Sequence, residues 1–245
     1  MNSWAGKFAE RIAVSYPDAA KFFPIGKSIL TGNPVREDIV EPITDGAREF
    51  LKLEDNVPVI LLIGGSQGAQ RINDILLEGL PELVKNYSII HQTGKENFKE
   101  CKETADAVLY NSEFKDRYKP FDYLNNLAMR MSAGVADIVI SRAGSTIFEI
   151  AAWGLPSIII PIPERISHDQ RTNAFAYARA GACEVIEEHN LTAHILLSEL
   201  NRLMSMPEER EKMRKNALAF YRPNAAKEIA EEILKIALSH EIEGD

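Results

Sequence analysis

Arg142-Ala143-Gly144-Ser145-Thr146-Ile147-Phe148-Glu149 is the stretch from which the rest of the chain can be read. An apolar run, Ile138-Val139-Ile140, leads into it, and a helical pattern from Ile147 to Trp153 leaves it. A second apolar run, Ser157-Ile158-Ile159-Ile160, follows at once. The order is strand, glycine turn, helix, strand, with small hydroxyl residues in the turn and a carboxylate about one turn into the helix. A helix N-terminus presents unpaired N–H groups and the positive end of a dipole, so it is a ready anion site. Glu149 would lie where a pair of sugar hydroxyls can be held beside that anion, an arrangement that suits a sugar nucleotide. The plainer alternative is that Gly144 and Ser145 only cap the helix and Glu149 only favours its first turns.

Outward from this stretch the alternation continues. Strand-length apolar runs fall at Val57–Ile63, Ser88–His91, Ala107–Tyr110, Asp137–Ser141, Ser157–Pro161 and Cys183–Ile186. Helical patterns fall at Ala69–Val84, Lys95–Thr104, Tyr123–Ala133, Thr146–Trp153, Asp169–Ala180 and Thr192–Met204. Near-continuous Val, Ile and Leu in the strands predict a parallel sheet buried on both faces. The alternation predicts right-handed crossovers, and so an α/β fold with a doubly wound, Rossmann-like sheet. Before this region come a helix (Trp4 to Arg11), a strand (Ile12 to Ser15), an extended Ser28-Ile29-Leu30 and a hinge-like Gly32-Asn33-Pro34-Val35-Arg36. After it come two charged helices, Pro207–Tyr221 and Asn224–His240, broken at Pro223.

Open α/β sheets bind ligands at the carboxyl ends of their strands. Polar turns fall at such ends: Gly64-Gly65-Ser66-Gln67-Gly68-Ala69, His91-Gln92-Thr93-Gly94-Lys95, the Arg142–Glu149 stretch, and Pro161-Ile162-Pro163 running to Ser167-His168-Asp169-Gln170-Arg171-Thr172-Asn173. Several such turns on one rim predict a site better than independent caps would.

Composition removes other readings. The 245 residues are 45% hydrophobic with a formal net charge of -8, enough for one large α/β domain or a domain plus part of another. That balance argues against a phosphate-tracking nucleic-acid surface. The longest apolar runs are too short to span a bilayer. Cys101 and Cys183 form neither a disulfide framework nor a metal spacing. The first turn is not Gly-x-Gly-x-x-Gly, and the second strand ends in His91-Gln92 rather than an acid, which disfavours a nicotinamide or flavin. There is no P-loop, no Gly-x-Ser-x-Gly elbow and no Asp-x-Asp pair. Without carboxylates for Mg²⁺, a leaving diphosphate would rest on helix N-termini, hydroxyls and arginines. The turns at Ser66 and at Ser145-Thr146, with Arg36 or Arg142 as countercharge, could supply these.

Gly32-Asn33-Pro34-Val35-Arg36, Gly64-Gly65-Ser66-Gln67-Gly68-Ala69, His91-Gln92-Thr93-Gly94, the Arg142–Glu149 turn, Gly154-Leu155-Pro156, Pro161-Ile162-Pro163, Asp169-Gln170 and Asn173-Ala174 occur in that order. Together they resemble the MurG family, peptidoglycan glycosyltransferases of GT-B fold. The resemblance implies transfer of N-acetylglucosamine from UDP-GlcNAc to lipid I, forming lipid II, on the cytoplasmic face of the plasma membrane as a peripheral protein, with no cofactor. It covers the C-terminal, donor-binding part of such proteins. Residues 1–35 resemble the end of the acceptor domain and the hinge, 36–222 the donor domain, and 223–245 the helix that crosses back. The acceptor-activating base is expected outside this chain, either because the chain is a fragment or because a separate acceptor-domain polypeptide exists.

Carried over by position, Arg36 resembles the hinge arginine near the diphosphate. Gly65, Ser66 and Gln67 resemble the first diphosphate turn, and Gly144, Ser145 and Thr146, beside Arg142, the second. Leu124 takes the place whose backbone reads uracil, on a longer spacing than usual. Glu149 resembles the ribose carboxylate and Gln170 the glutamine that reads the sugar, with Asp169 where the family usually has His or Gln. Asn173 joins this set or serves a local backbone group. Arg142 has a second reading, pairing with Asp137 or a helix end; His91 and His168 read as structural or solvated. The implied mechanism is an inverting, metal-independent displacement of UDP by the acceptor 4-hydroxyl, weak in this chain alone. Two other readings are a donor-binding subunit of a split glycosyltransferase and a UDP-GlcNAc 2-epimerase-like enzyme.

Overall fold

The computed structural model describes residues 2–64, 69–164, 166 and 168–242. The chain divides into two compact units, one of Met1–Arg36 with Tyr221–Asp245, the other of Glu37–Phe220.

The smaller unit contains α1 (Asn2–Phe8), β1 (Ile12–Val14), a 3-10 turn at Pro17–Phe22, and β2 (Ser28–Leu30). β1 and β2 pair in parallel, Ile12 opposite Ser28 and Val14 opposite Leu30. The last helix of the chain, Ala225–Ile242, also belongs here and meets Arg11 through Glu232 at 3.6 Å.

The larger unit opens with two short helices, α2 (Glu37–Val40) and α3 (Ala47–Phe50), whose Ile39 and Ala47 are fully buried. Then come β3 (Val59–Ile63), α4 (Gln70–Asn86), β4 (Ser88–Gln92), α5 (Phe98–Val108), β5 (Tyr118–Phe121) and α6 (Asn126–Val135). β6 (Ile138–Ser141), α7 (Thr146–Trp153), β7 (Ser157–Ile159), α8 (His168–Arg179), β8 (Cys183–Val185), α9 (Ala193–Ser205) and α10 (Pro207–Phe220) complete it. The strands form one parallel sheet in the order β5-β4-β3-β6-β7-β8. This is the doubly wound order whose direction reverses between β3 and β6.

Strand residues alternate faces. Ile60, Leu62, Ile89, Ile138, Ile140 and Ile158 share one core with Ile72, Leu76 and Leu80 of α4 and Leu196, Leu200 and Leu203 of α9. α6 and α7 contact β3 and β6 as well, so β3, β4 and β6 are buried along their whole length.

One expected strand is corrected. Ala107–Tyr110 is not a strand, because Cys101, Ala105 and Leu109 are buried at a helical spacing of four while Tyr110 is 82% exposed; α5 runs on to Val108. The third strand of that half is β5, eight residues further on. Pro120 hides it in the sequence, since proline cannot donate to a ladder. β5 tolerates proline because it is the edge strand, paired only with β4. Where α7 ends, Gly154 takes φ +63, and a Cβ there would lie 2.7 Å from Leu218 Cγ; this left-handed cap turns the chain into β7.

Candidate functional site

The register sets the six carboxyl ends level. Phe121, Gln92, Ile63, Ser141, Ile159 and Val185 are successive Cα partners across the whole sheet. Every loop that follows them starts on one rim, and the polar turns singled out in the sequence all emerge there. β3 and β6, the strands flanking the reversal, are joined at this level by Ser141 Oγ donating to Ile63 O at 3.3 Å. Gly64 leaves β3 with its N–H on Gln92 O at 3.1 Å, and a Cβ would sit 3.0 Å from that same oxygen. A side chain here would press on the neighbouring strand, so the tight turn favours glycine.

α7 starts on the other side of the reversal. Ser145 occupies its cap position in a helical conformation, and its hydroxyl makes no capping bond. The capping explanation for Ser145 therefore fails. The N–H groups of Ile147 and Phe148 close on the carbonyls of Gly144 and Ser145 at 3.3 and 3.0 Å. No acceptor among the described residues takes the N–H of Ser145 or Thr146. Ser145 is exposed, Thr146 and Glu149 are half-buried, and Glu149 lies in the first turn of α7. A Cβ on Gly144 would meet nothing within 4 Å. The turn thus offers amides, a hydroxyl and open space at the positive end of a helix.

Arg142 does something else than expected. Its Nη1 donates to Ile160 O and Pro161 O at 3.2 and 3.4 Å, and its Nη2 pairs with Glu188 at 2.5 Å. The guanidinium ties the ends of β6, β7 and β8 together rather than standing as a phosphate countercharge, and Asp137 instead accepts from Val59 N at 2.8 Å. α8 is tied to the same corner. Asn173 Nδ2 donates to Ala143 O at 3.3 Å, which is the local backbone role considered for it. Gln170 Oε1 accepts from Ile162 N at 3.3 Å. Arg171 grips Glu187 at 3.0 Å, while Asp169 is exposed in the first turn of α8. Glu188, 46 positions from Arg142 in sequence, had no local signal.

On the far side of β3, Gln92 reaches across to the loop after β5, its Oε1 accepting from Leu124 N at 3.0 Å. Thr93 holds Phe121 O through both its N–H, at 2.9 Å, and its hydroxyl, at 3.1 Å. Asn125 then caps α6 by accepting from Ala128 N at 2.9 Å. Leu124 is buried with its N–H engaged by Gln92. Sequence reasoning gave Gln92 no role; its only signal was a polar residue ending a buried strand.

His91 is structural. Its Nδ1 meets Tyr118 Oη at 2.8 Å and its Nε2 meets Asn73 Oδ1 at 3.0 Å. Asn73 Nδ2 donates to Thr93 O, which turns Oδ1 toward the imidazole, so Nε2 carries the proton and Nδ1 accepts from Tyr118. Burial pushes the His91 pKa down to about 3 and keeps the ring neutral.

Gly65, Ser66 and Gln67, expected as the first diphosphate turn, lie outside the described residues. Arg36 falls in the smaller unit, where it is exposed.

Residues 59–233 match the glycosyltransferase family 28 C-terminal domain. The chain is 36% identical over 241 residues to the UDP-N-acetylglucosamine–N-acetylmuramyl-(pentapeptide) pyrophosphoryl-undecaprenol N-acetylglucosamine transferase of Thermodesulfovibrio yellowstonii, covering 96% of this chain and 64% of that protein. It is 33% identical to the protein of the same name from Pediococcus pentosaceus, covering 93% and 62%. The chain thus spans less than two thirds of the length of these relatives. In fold it is similar to Acinetobacter baumannii MurG, with a TM-score of 0.73 at 22% identity over 96% of this chain and 62% of that one. It is also similar to the UDP-GlcNAc 2-epimerase of Neisseria meningitidis, with a TM-score of 0.62 at 19% identity over 94% and 62%.

Proposed function

Because the chain belongs to the glycosyltransferase family 28 C-terminal domain family, we propose that it binds UDP-N-acetylglucosamine for transfer of the sugar to lipid I, giving lipid II in peptidoglycan synthesis. The observation that carries this reading is the start of α7. Ser145 and Thr146 amides and a Ser145 hydroxyl that meet no acceptor or cap among the described residues, with the open side of Gly144, stand at the switch point of the sheet. A diphosphate placed there is held by the helix terminus, and Glu149 is the carboxylate for the ribose hydroxyls. Gln170, in the first turn of α8, faces the sugar, with Asp169 and Asn173 beside it. Gly65, Ser66, Gln67 and Arg36 remain diphosphate candidates by their resemblance to the family's motifs.

The chemistry is an inverting displacement without a metal. The acceptor 4-hydroxyl attacks the anomeric carbon, the bond to UDP breaks, and the departing diphosphate keeps its charge against oriented amides. The base that takes the hydroxyl proton comes from an acceptor-binding part outside these residues. Lipid I reaches the enzyme at the membrane surface through that part; among the described residues no helix is long and apolar enough to cross a membrane.

Incubation with labelled UDP-GlcNAc and a lipid I analogue tests the assignment. These 245 residues should leave the donor largely intact, with lipid II forming once an acceptor-binding domain is supplied. Efficient lipid II synthesis without it would contradict this division of labour. Release of UDP and N-acetylmannosamine with no acceptor present would instead make the protein an epimerase, the activity named for a neighbour that shares its fold.

A further inference from the structure

Trp153 ends α7, and its indole N–H donates to Ile39 O of α2 at 2.7 Å in a buried setting. α2 touches α6 as well as α7. Asn126, in the first turn of α6, donates through Nδ2 to the Asp38 carboxylate. One turn on, Arg130 Nε donates to Glu41 O at 2.7 Å, and Arg130 O accepts from Ile43 N at 3.0 Å. In the last turn of α6, a Cβ on Gly134 would collide with Ile43 O. Residues 38–44 therefore run as a strap along α6, from its first turn to its last, and Trp153 bolts that strap to the end of α7. In the proposed donor site the two helices carry different ends of the nucleotide. Leu124, placed at the uracil by resemblance, and the Asn125 cap lead straight into α6, while the diphosphate turn at Gly144-Ser145 opens α7. α7 is eight residues long, so Trp153 lies about 10 Å along the axis from that turn. A helix this short moves as one rigid piece, and breaking its buried indole bond leaves a carbonyl without a donor.

We infer that Trp153 is a positioning residue of the donor site: through the strap it fixes the offset between the start of α6 and the start of α7, so that one nucleoside diphosphate engages both at once. The inference rests on the reading of the rim as a UDP-sugar site. A ligand joined across two subsites gains over its separate pieces only when their spacing matches its own. Loosening the strap therefore costs the joined ligand and spares the pieces. A substitution that merely lowers the folded fraction weakens every ligand by one common factor, so the two roles separate by experiment.

Titration with UDP, uridine and inorganic diphosphate, followed by chemical shifts, tests this on the full chain and on Trp153→Phe. The substitution keeps an aromatic ring and removes the N–H donor. It should weaken UDP by about fivefold or more while uridine and diphosphate each change by less than about twofold. On the unsubstituted chain, the Trp153 indole N–H should exchange with solvent more slowly with UDP bound than with uridine and diphosphate bound together at equal occupancy, because coupling between the strap and the joined ligand is reciprocal. This readout holds even if the variant fails to fold. Equal changes for all three ligands in Trp153→Phe, or an indole N–H whose exchange ignores bound UDP, would overturn the role of Trp153 and leave the donor-site reading standing. An unsubstituted chain that binds neither UDP nor uridine would overturn both.

Discussion

A methyl group added to Gly144 would meet no atom within 4 Å. Its backbone is not in the left-handed region either, so nothing among the described residues demands glycine there. In the proposed donor site that demand comes from the ligand, whose diphosphate approaches the backbone closely. Gly144→Ala should therefore keep the urea midpoint of the parent and weaken UDP-GlcNAc by about tenfold, ~1.4 kcal/mol; unchanged affinity would remove the diphosphate from this turn. His91 makes the opposite kind of statement, one of stability alone. Its folded pKa is pushed down to about 3, whereas an unfolded histidine titrates near about 6.5. Between those values the unfolded chain carries a proton that the folded chain lacks. The contribution is thus complete above about pH 6.5 and is lost as pH falls toward about 3, at up to about 1.4 kcal/mol per pH unit. Urea midpoints between about pH 7 and pH 5 should fall less steeply in His91→Gln than in the parent.

Elements are held to one another by a few specific contacts. Gly154 ends α7 at φ +63 against Leu218, so Gly154→Ala should cost about 1–2 kcal/mol of stability with nucleotide affinity unchanged. Arg142 and Glu188, with side chains 15% and 19% exposed, join β6 to the turn after β8. A double-mutant cycle with alanine at both positions should show about 1–3 kcal/mol of coupling in stability, and near-zero coupling would mean the pair is incidental. Elements of this kind were unevenly legible. β3, β6 and β7 were readable because strands buried on both faces are mostly apolar, and β4 was readable from its Ile89-Ile90 centre. β5 was not, because an edge strand can carry Lys119 and Pro120. α6 begins later than its apolar pattern because Asn125 supplies the cap. The site was legible where glycine and hydroxyl residues mark turns, as at Gly144-Ser145. It was illegible where the rim is held by one long-range bond, as from Gln92 to Leu124 or from Arg142 to Glu188.

At the scale of the whole chain, the two units differ in how their backbone is protected. β1 and β2 are three residues each, and β2 is only half-buried. A two-stranded pair is marginal without further packing, whereas β3, β4 and β6 lie inside a six-stranded sheet. Amide exchange should be slowest in β3, β4 and β6 and faster by orders of magnitude in β1 and β2; uniform protection would show that the units open together. The larger unit supplies the sheet, the switch point and the rim, and the function assigned to the chain stands or falls with that rim. Titration with UDP-GlcNAc, UDP-GalNAc and UDP, with Glu149→Ala and Gln170→Ala alongside, addresses it most directly. UDP-GlcNAc should bind best, Glu149→Ala should weaken all three ligands, and Gln170→Ala should remove only the preference between the two sugars. Binding of no uridine nucleotide, or affinities untouched by Glu149→Ala, would contradict the assigned function.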